Sequence, residues 1–170
     1  IAHELIKLIE KKSQSIIVGD PLNPETNLGP LCTIKQIHLI EDTLKKSIEQ
    51  GGEIIFGGKK IKQDGNYFEP TLIHCPNRQI ETLKVEMFGP VISIIEFDSE
   101  EEAIEISNDS KYGLGSGLFT KDLARAHRIS QQIKACICWV NTYRVSSPIA
   151  AFGGFNQSGY AREGGKQSIL

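Results

Sequence analysis

The chain is poor in several features, and each scarcity narrows what it can be. No run of apolar residues approaches the ~20 that a membrane-spanning helix needs, so no segment reads as a bilayer span. Neither sign of charge is in excess. Lys and Arg number 19 against 21 Asp and Glu, a formal net charge of -2, and the two signs are interspersed. No basic stripe points to nucleic acid, and no acidic tail points to disorder. Cysteine is limited to four residues, at positions 32, 75, 136 and 138. That count and spacing do not make a secreted disulfide framework in a chain this long. They read as free buried thiols in a reducing compartment, the cytoplasm or, in a eukaryotic cell, the mitochondrial matrix. The four histidines are dispersed. Only His74 beside Cys75 suggests a metal, and a zinc site needs two more ligands, so no metal is expected. An initiator Met is also missing. Residues Ile1 to Lys12 already read as the middle of a helix, so the lack of a targeting segment proves nothing.

What is present is ordinary for a globular protein. Hydrophobic residues make up 39% and charged residues 24% of 170 positions. A single domain of that size buries roughly 70% of its unfolded surface. Ile1, Leu5, Leu8 and Ile9 recur at helical spacing. Ile16-Ile17-Val18 is a short apolar run, and residues 20–30, with three Pro and two Asn, form a loop. Thr33 caps a helix running to Gln50, stopped by Gly51-Gly52. Short extended pieces follow at Ile54 to Phe56 and Thr71 to His74, then a clear strand from Val91 to Phe97. Ser99 with Glu102 opens a helix by a capping box. Ser116 to Thr120 reads as a strand, Asp122 caps a helix to about Ile133, and Cys136 to Val140 reads as a strong buried strand. Residues 141–160 read as a long loop, and the chain turns helical from Arg162. From residue 91 the order is strand, helix, strand, helix, strand. That spacing favours crossover units in a mostly parallel sheet with helices on both faces, an α/β fold.

Three segments can carry chemistry. Glu86 stands before Phe88-Gly89-Pro90, at the entrance to a strand and hence at the rim of a sheet. Strand ends are where open α/β folds bind ligands. A carboxylate there can accept hydrogen bonds from two vicinal hydroxyls, as on a ribose, and Phe88 offers an aromatic face. The bland alternative is a surface Glu before an ordinary turn. Tyr112-Gly113-Leu114 precedes alternating glycines at 113, 115 and 117. These do not spell Gly-x-Gly-x-x-Gly and precede a strand rather than follow one, so they are not a phosphate loop. Trp139-Val140-Asn141-Thr142-Tyr143 puts Trp139 and Asn141 on one strand face, and core packing accounts for Trp139. Phe152-Gly153-Gly154 leads to Ser158-Gly159 and Arg162-Glu163, and paired glycines permit close backbone approach. Could a cysteine be a nucleophile? Cys136 and Cys138 share a strand face at roughly 7 Å, too far for an easy disulfide. A reactive thiol would need a base, cation or helix terminus beside it.

Taken in order, Glu86-x-Phe88-Gly89-Pro90, Tyr112-Gly113-Leu114, Trp139-Val140-Asn141-x-Tyr143 and Phe152-Gly153-Gly154-x-x-x-Ser158-Gly159 resemble the aldehyde dehydrogenase family, across essentially the whole chain. Val85, Cys136, Ala151, Asn156 and Ala161 depart from its usual residues. The resemblance implies a cofactor role for Glu86, which would hold the nicotinamide ribose hydroxyls, with Phe88 beside it and Leu114 against the nicotinamide ring. It implies that Asn141, Tyr143 and Phe152 border the aldehyde tunnel, that the loop Arg144 to Ile149 bears on substrate choice, and that Arg162 lies near a subunit interface. The implied reaction uses NAD or NADP. A cysteine adds to an aldehyde, hydride leaves to the nicotinamide, and water releases the carboxylic acid. The family's nucleophile sits in Gly-Gln-x-Cys, and no such segment occurs here. The chain therefore looks like the C-terminal part of the catalytic domain of a larger enzyme, a homo-oligomer (dimer or tetramer), and inactive by itself. The competing reading is a non-catalytic truncated product, or an assembly module complemented by another chain.

Overall fold

A computed structural model describes residues 1–169. Their backbone gathers into two compact units, the first Ile1–Glu96 and the second from Phe97 onward. In the first unit, helix α1 (Ala2–Ser13) forms where the opening periodicity places it, yet none of its residues is buried. Leu5 and Leu8 face solvent. The run at Ile16 to Val18 makes no strand. Val18 forms one parallel bridge to Leu28, closing the polar loop between them. Helix α2 (Ile34–Glu49) begins where the Thr33 N–H donates to Gln36 Oε1 at 3.1 Å. It ends at Gly51, whose φ of 97° lies in the left-handed region that glycine tolerates. Strands β1 (Glu53–Phe56), β2 (Thr71–His74) and β3 (Val91–Ile94) form one sheet in that order. β1 and β2 are antiparallel, while β2 and β3 are parallel with Thr71 opposite Val91.

The core of this unit is one face of α2 against the sheet and its flanking loops. Ile37, Ile40 and Leu44 recur at helical spacing and pack with Phe68, Ile73, Cys75, Ile80 and Met87. Two polar contacts then fix the chain after β2. The Thr82 N–H donates to Ser47 Oγ at 3.0 Å and the Glu81 N–H to Gln50 Oε1 at 2.7 Å. The single 3-10 turn Glu81–Leu83 is thereby tied to the last turns of α2. Of the four thiols only Cys75 is buried; Cys136 and Cys138 are half-buried and Cys32 is exposed. This corrects the expectation that all four are buried, since Cys32 lies in the polar approach to α2.

The second unit contains α3 (Glu100–Asn108), β4 (Gly115–Leu118), α4 (Leu123–Ser130) and β5 (Ile137–Val140). β4 and β5 pair in parallel, Gly115 opposite Ile137 and Leu118 opposite Val140, with α4 as the crossover. The caps are the ones the sequence indicates. Ser99 Oγ accepts from the Glu102 N–H at 3.1 Å, and Asp122 Oδ1 from the Arg125 N–H at 3.0 Å. Glu100 on α3 binds both Arg125 and Arg128 on α4. Those guanidiniums, Arg128 first, hold its carboxyl below the usual carboxylate range.

Three expectations about this unit need correction. β5 is half-buried throughout rather than strongly buried, because its ladder has two strands and both are edges. Residues 141–160 are not all loop, since Phe152–Gly153 forms a short strand, β6, followed by a 3-10 turn at Asn156–Ser158. The chain does not turn helical from Arg162. Arg162–Glu163 forms β7, antiparallel to β6. Gly164 and Gly165, at φ 70° and 62°, break the path before a final 3-10 turn, Lys166–Ser168.

Candidate functional site

The predicted site residues fall into two groups. Glu86 and Phe88 belong to the first unit. Leu114, Asn141, Tyr143, Phe152 and Arg162 belong to the second.

In the first unit, residues 84–90 join the 3-10 turn to β3, and from Lys84 to Phe88 the side chains alternate between exposed and more buried. Met87 points inward, 7% exposed, among the α2 residues Ile37, Ile40 and Leu44. Glu86 and Phe88 on either side of it are exposed. Among the described residues Glu86 makes no hydrogen bond or ion pair. Phe88 is 72% exposed and its φ is 50°. A left-handed conformation costs roughly 1–2 kcal/mol for a residue with a side chain, so a large aromatic there is held by its surroundings rather than by preference. Part of that hold comes from Gln36. Its Nε2 donates to the Phe88 carbonyl at 3.4 Å while its Oε1 caps α2. Gly89 follows with its backbone against α2, where a Cβ would overlap the Ile40 side chain. An unpaired carboxylate and an aromatic face are thus held outward by a buried thioether between them. Both lie at the amino end of β3. The general strand-end rule favours the carboxyl end, so the sheet-rim argument does not carry Glu86, and its setting in the motif does.

In the second unit, Leu114 immediately precedes β4, and its carbonyl accepts from the Ile137 N–H at 3.3 Å. Its side chain is partly exposed. Of the glycines after it, the one at 115 has a steric purpose. A Cβ at Gly115 would sit 3.0 Å from the Trp139 ring, whereas one at Gly117 would only touch Tyr143 at 3.5 Å. Glycine at position 115 therefore leaves room for Trp139, which packs edge to face with Tyr143 at 5.0 Å. The Trp139 indole N–H also donates to the Val145 carbonyl at 2.6 Å. Trp139 is half-buried and acts as a strap on the loop after β5, a role that core packing alone did not suggest.

Asn141 has φ 54° and both ends of its side-chain amide are engaged by one residue. Thr120 N–H donates to Oδ1, and Nδ2 donates to the Thr120 carbonyl, each at 2.8 Å. It zips the ends of β4 and β5 together. Tyr143 is exposed, with Arg144 over its ring. Phe152 lies half-buried on β6, opposite Glu163. Neither Gly153 nor Gly154 has positive φ. A Cβ on Gly153 would overlap the Ala161 carbonyl and one on Gly154 the Ser158 carbonyl, so close approach is what this pair provides. Arg162 turns inward. Its guanidinium donates to the carbonyls of Gly154 at 2.8 Å and Ala161 at 2.9 Å, and lies over the Phe155 ring at 5.0 Å.

Sequence reading missed Gln36 and Met87 as residues that build the site. Gln36 had a legible signal, since Thr33-x-x-Gln36 is itself a capping-box pattern. Cys75 is wholly buried, out of reach of a substrate. Burial pushes its thiol up, against the smaller pull of the Thr82 and Ser93 hydroxyls.

The whole chain, residues 1–170, matches the aldehyde dehydrogenase family. It is 43% identical over 171 residues to (Z)-2-((N-methylformamido)methylene)-5-hydroxybutyrolactone dehydrogenase of Acinetobacter baylyi, covering 100% of this chain and 35% of that protein. It is 38% identical over 168 residues to human 4-trimethylaminobutyraldehyde dehydrogenase, covering 95% of this chain and 34% of that protein. Among solved structures, PnpE from Pseudomonas sp. WBC-3 superposes with a TM-score of 0.93 at 40% identity, over 99% of this chain and 35% of that one. Betaine aldehyde dehydrogenase of Staphylococcus aureus in complex with NAD+ superposes with a TM-score of 0.91 at 31% identity, over 98% of this chain and 34% of that one. The chain spans about a third of the length of the curated relatives it matches. Matched to that family over its whole length, and superposing on a solved relative at 40% identity, this chain belongs to the aldehyde dehydrogenase family.

Proposed function

We propose that this chain is the C-terminal portion of the catalytic domain of an NAD(P)-dependent aldehyde dehydrogenase, which oxidises an aldehyde to a carboxylic acid as a homo-oligomer. The observation that carries the reading is the outward, unpaired carboxylate of Glu86 beside the exposed, left-handed Phe88. A carboxylate with no internal partner has free acceptor capacity on both oxygens, which fits the two vicinal hydroxyls of a ribose. An exposed ring held in a disfavoured backbone conformation fits a surface that packs against a ligand.

The cofactor, when bound, supplies the two-electron oxidant. This chain's own contribution is positional. Glu86 anchors the sugar, Phe88 and Leu114 supply apolar contact at the nicotinamide end, and Phe152 with Tyr143 lines the aldehyde's path. Asn141 and Arg162, whose polar groups are spent on backbone carbonyls and an amide of their own unit, shape the loops that carry those walls. The nucleophilic cysteine must come from elsewhere, since Gly-Gln-x-Cys is absent. The S. aureus relative's NAD+ complex supports the cofactor class.

The test is to mix the purified chain with NAD or NADP and a panel of aldehydes, then to repeat with the missing portion of the enzyme co-expressed. No cofactor reduction by the chain alone and activity on complementation is the expected result. Turnover by the chain alone overturns the reading. A second reading, an assembly module without catalysis of its own, draws on the exposed Leu5 and Leu8 of α1. Complementation without any activity would favour it.

A further inference from the structure

The segment carrying Phe152 and the turn carrying Leu114 are far apart in sequence, yet they are stitched together by a dense set of hydrogen bonds. Gly113 N–H donates to Ser158 Oγ at 3.0 Å, across 45 residues. The Gly113 carbonyl accepts from the Phe155 N–H at 3.0 Å and the Cys136 N–H at 3.2 Å. The Gln157 N–H donates to the Lys111 carbonyl at 2.9 Å. Gly113 is buried, and a Cβ there would sit 2.7 Å from the Lys134 carbonyl and 3.1 Å from Phe155 Cβ. Every polar atom of the residue before Leu114 is therefore engaged, and its open side is filled.

The bonds are not equivalent. Those to the Gly113 carbonyl come from backbone amides and survive most substitutions. The one to its N–H comes from a side chain, so a single hydroxyl decides whether a buried amide is satisfied. An unsatisfied buried N–H is costly enough to move a loop. The 3-10 turn Asn156–Ser158 aims that hydroxyl, and Gly154 lets the chain pass close enough to Ser158 for the turn to form.

We infer that Ser158 is a positioning residue. Through Gly113 it fixes the turn that presents Leu114, so the substrate wall at Phe152 and the nicotinamide-facing wall at Leu114 are set as one piece. The inference rests on the proposed cofactor-facing role of Leu114. It gives the Ser of the Phe-Gly-Gly segment a duty toward the cofactor rather than toward its own loop.

Two measurements separate the inference from its premise. In the chain itself, hydrogen exchange at the Gly113 amide is compared among wild type, Ser158→Ala and Ser158→Thr. Ser158→Ala speeds exchange by about fivefold to tenfold, the effect of one lost hydrogen bond, and Ser158→Thr, which keeps the hydroxyl, restores protection. Unchanged exchange in Ser158→Ala overturns the inference. In the complementary assembly, Ser158→Ala raises KM for the cofactor more than KM for the aldehyde, because Phe152 keeps its pairing with Glu163 on β7, and Ser158→Thr reverses it. A merely structural loss would lower the unfolding midpoint and leave the two KM values in their original ratio, which overturns it as well. Leu114→Ala is the control. If that substitution leaves cofactor KM unchanged, the premise about Leu114 has failed, whatever Ser158 does to exchange.

Discussion

Met87 is the buried residue that turns Glu86 and Phe88 outward, and replacing it gives a sharp test. The side chain is 7% exposed and packs with Ile37 and Ile40, both at 0%, and Leu44 at 3%. Met87→Ala removes three heavy atoms. At about 0.8 kcal/mol for each buried methylene-sized group, the transfer loss is about 2 kcal/mol. The site cannot collapse freely, because α2 and the sheet brace it on both sides, so a cavity contribution raises the total to about 3 kcal/mol, within the range of about 2–5 for such truncations. That is a large share of a typical stability of about 5–15 kcal/mol. Glu86→Gln, one residue away, exposed and unpaired, should stay within about 0.5 kcal/mol of wild type. The assay is urea unfolding followed by far-UV circular dichroism. If Glu86→Gln destabilises as much as Met87→Ala, the carboxylate has a structural partner and the alternation described here is wrong.

The remaining predictions concern packing, charge, thiols and cooperativity. Gly89→Ala drives a methyl onto Ile40 and should cost about 1–3 kcal/mol by overpacking, read as a drop in urea midpoint. The Arg128 and Arg125 guanidiniums lower the Glu100 pKa from 4.5 in the folded state. Their contribution is therefore present above about pH 4.5 and is lost as pH falls through the lowered value. Glu100→Gln should flatten the acid side of the stability–pH curve and lower the curve above about pH 4.5 by a constant amount, leaving its shape there unchanged; an unaltered acid side contradicts the pairing. Alkylation at neutral pH followed by mass spectrometry should label the exposed Cys32 first and the buried Cys75 last; early labelling of Cys75 contradicts its burial. The two units are proposed to act as one domain, which predicts coincident unfolding by Trp139 fluorescence and far-UV circular dichroism. Two separated transitions refute that.

Much of the scaffold was legible because its signals are local. Thr33, Ser99 and Asp122 announce α2, α3 and α4 by cap chemistry, and β2 and β5 fall where apolar runs lie between turns. The errors arose where tertiary context decides. Arg162–Glu163 has no strand pattern of its own and becomes β7 only because β6 lies alongside. Ile16 to Val18 has strand propensity but finds a partner for one residue alone. The motifs singled out the candidate site residues, and what they could not show is how each is held. Nothing local says that Asn141 would spend its amide on Thr120, or that Arg162 would fold back onto Gly154. Both depend on which segments the fold brings within 3 Å of each other.

The central claim, that Glu86 grips the ribose next to nicotinamide, is tested most directly by a cycle of protein and cofactor changes in the complemented enzyme. NAD is compared with an analogue lacking one hydroxyl on the nicotinamide ribose, each against wild type and Glu86→Gln, with cofactor KM as the readout. A hydrogen bond to a charged acceptor is worth about 1.5–3 kcal/mol, so removing the hydroxyl should raise KM by about tenfold or more in wild type and by far less in Glu86→Gln. An equal rise in both proteins would mean that the carboxylate at position 86 does not hold the sugar.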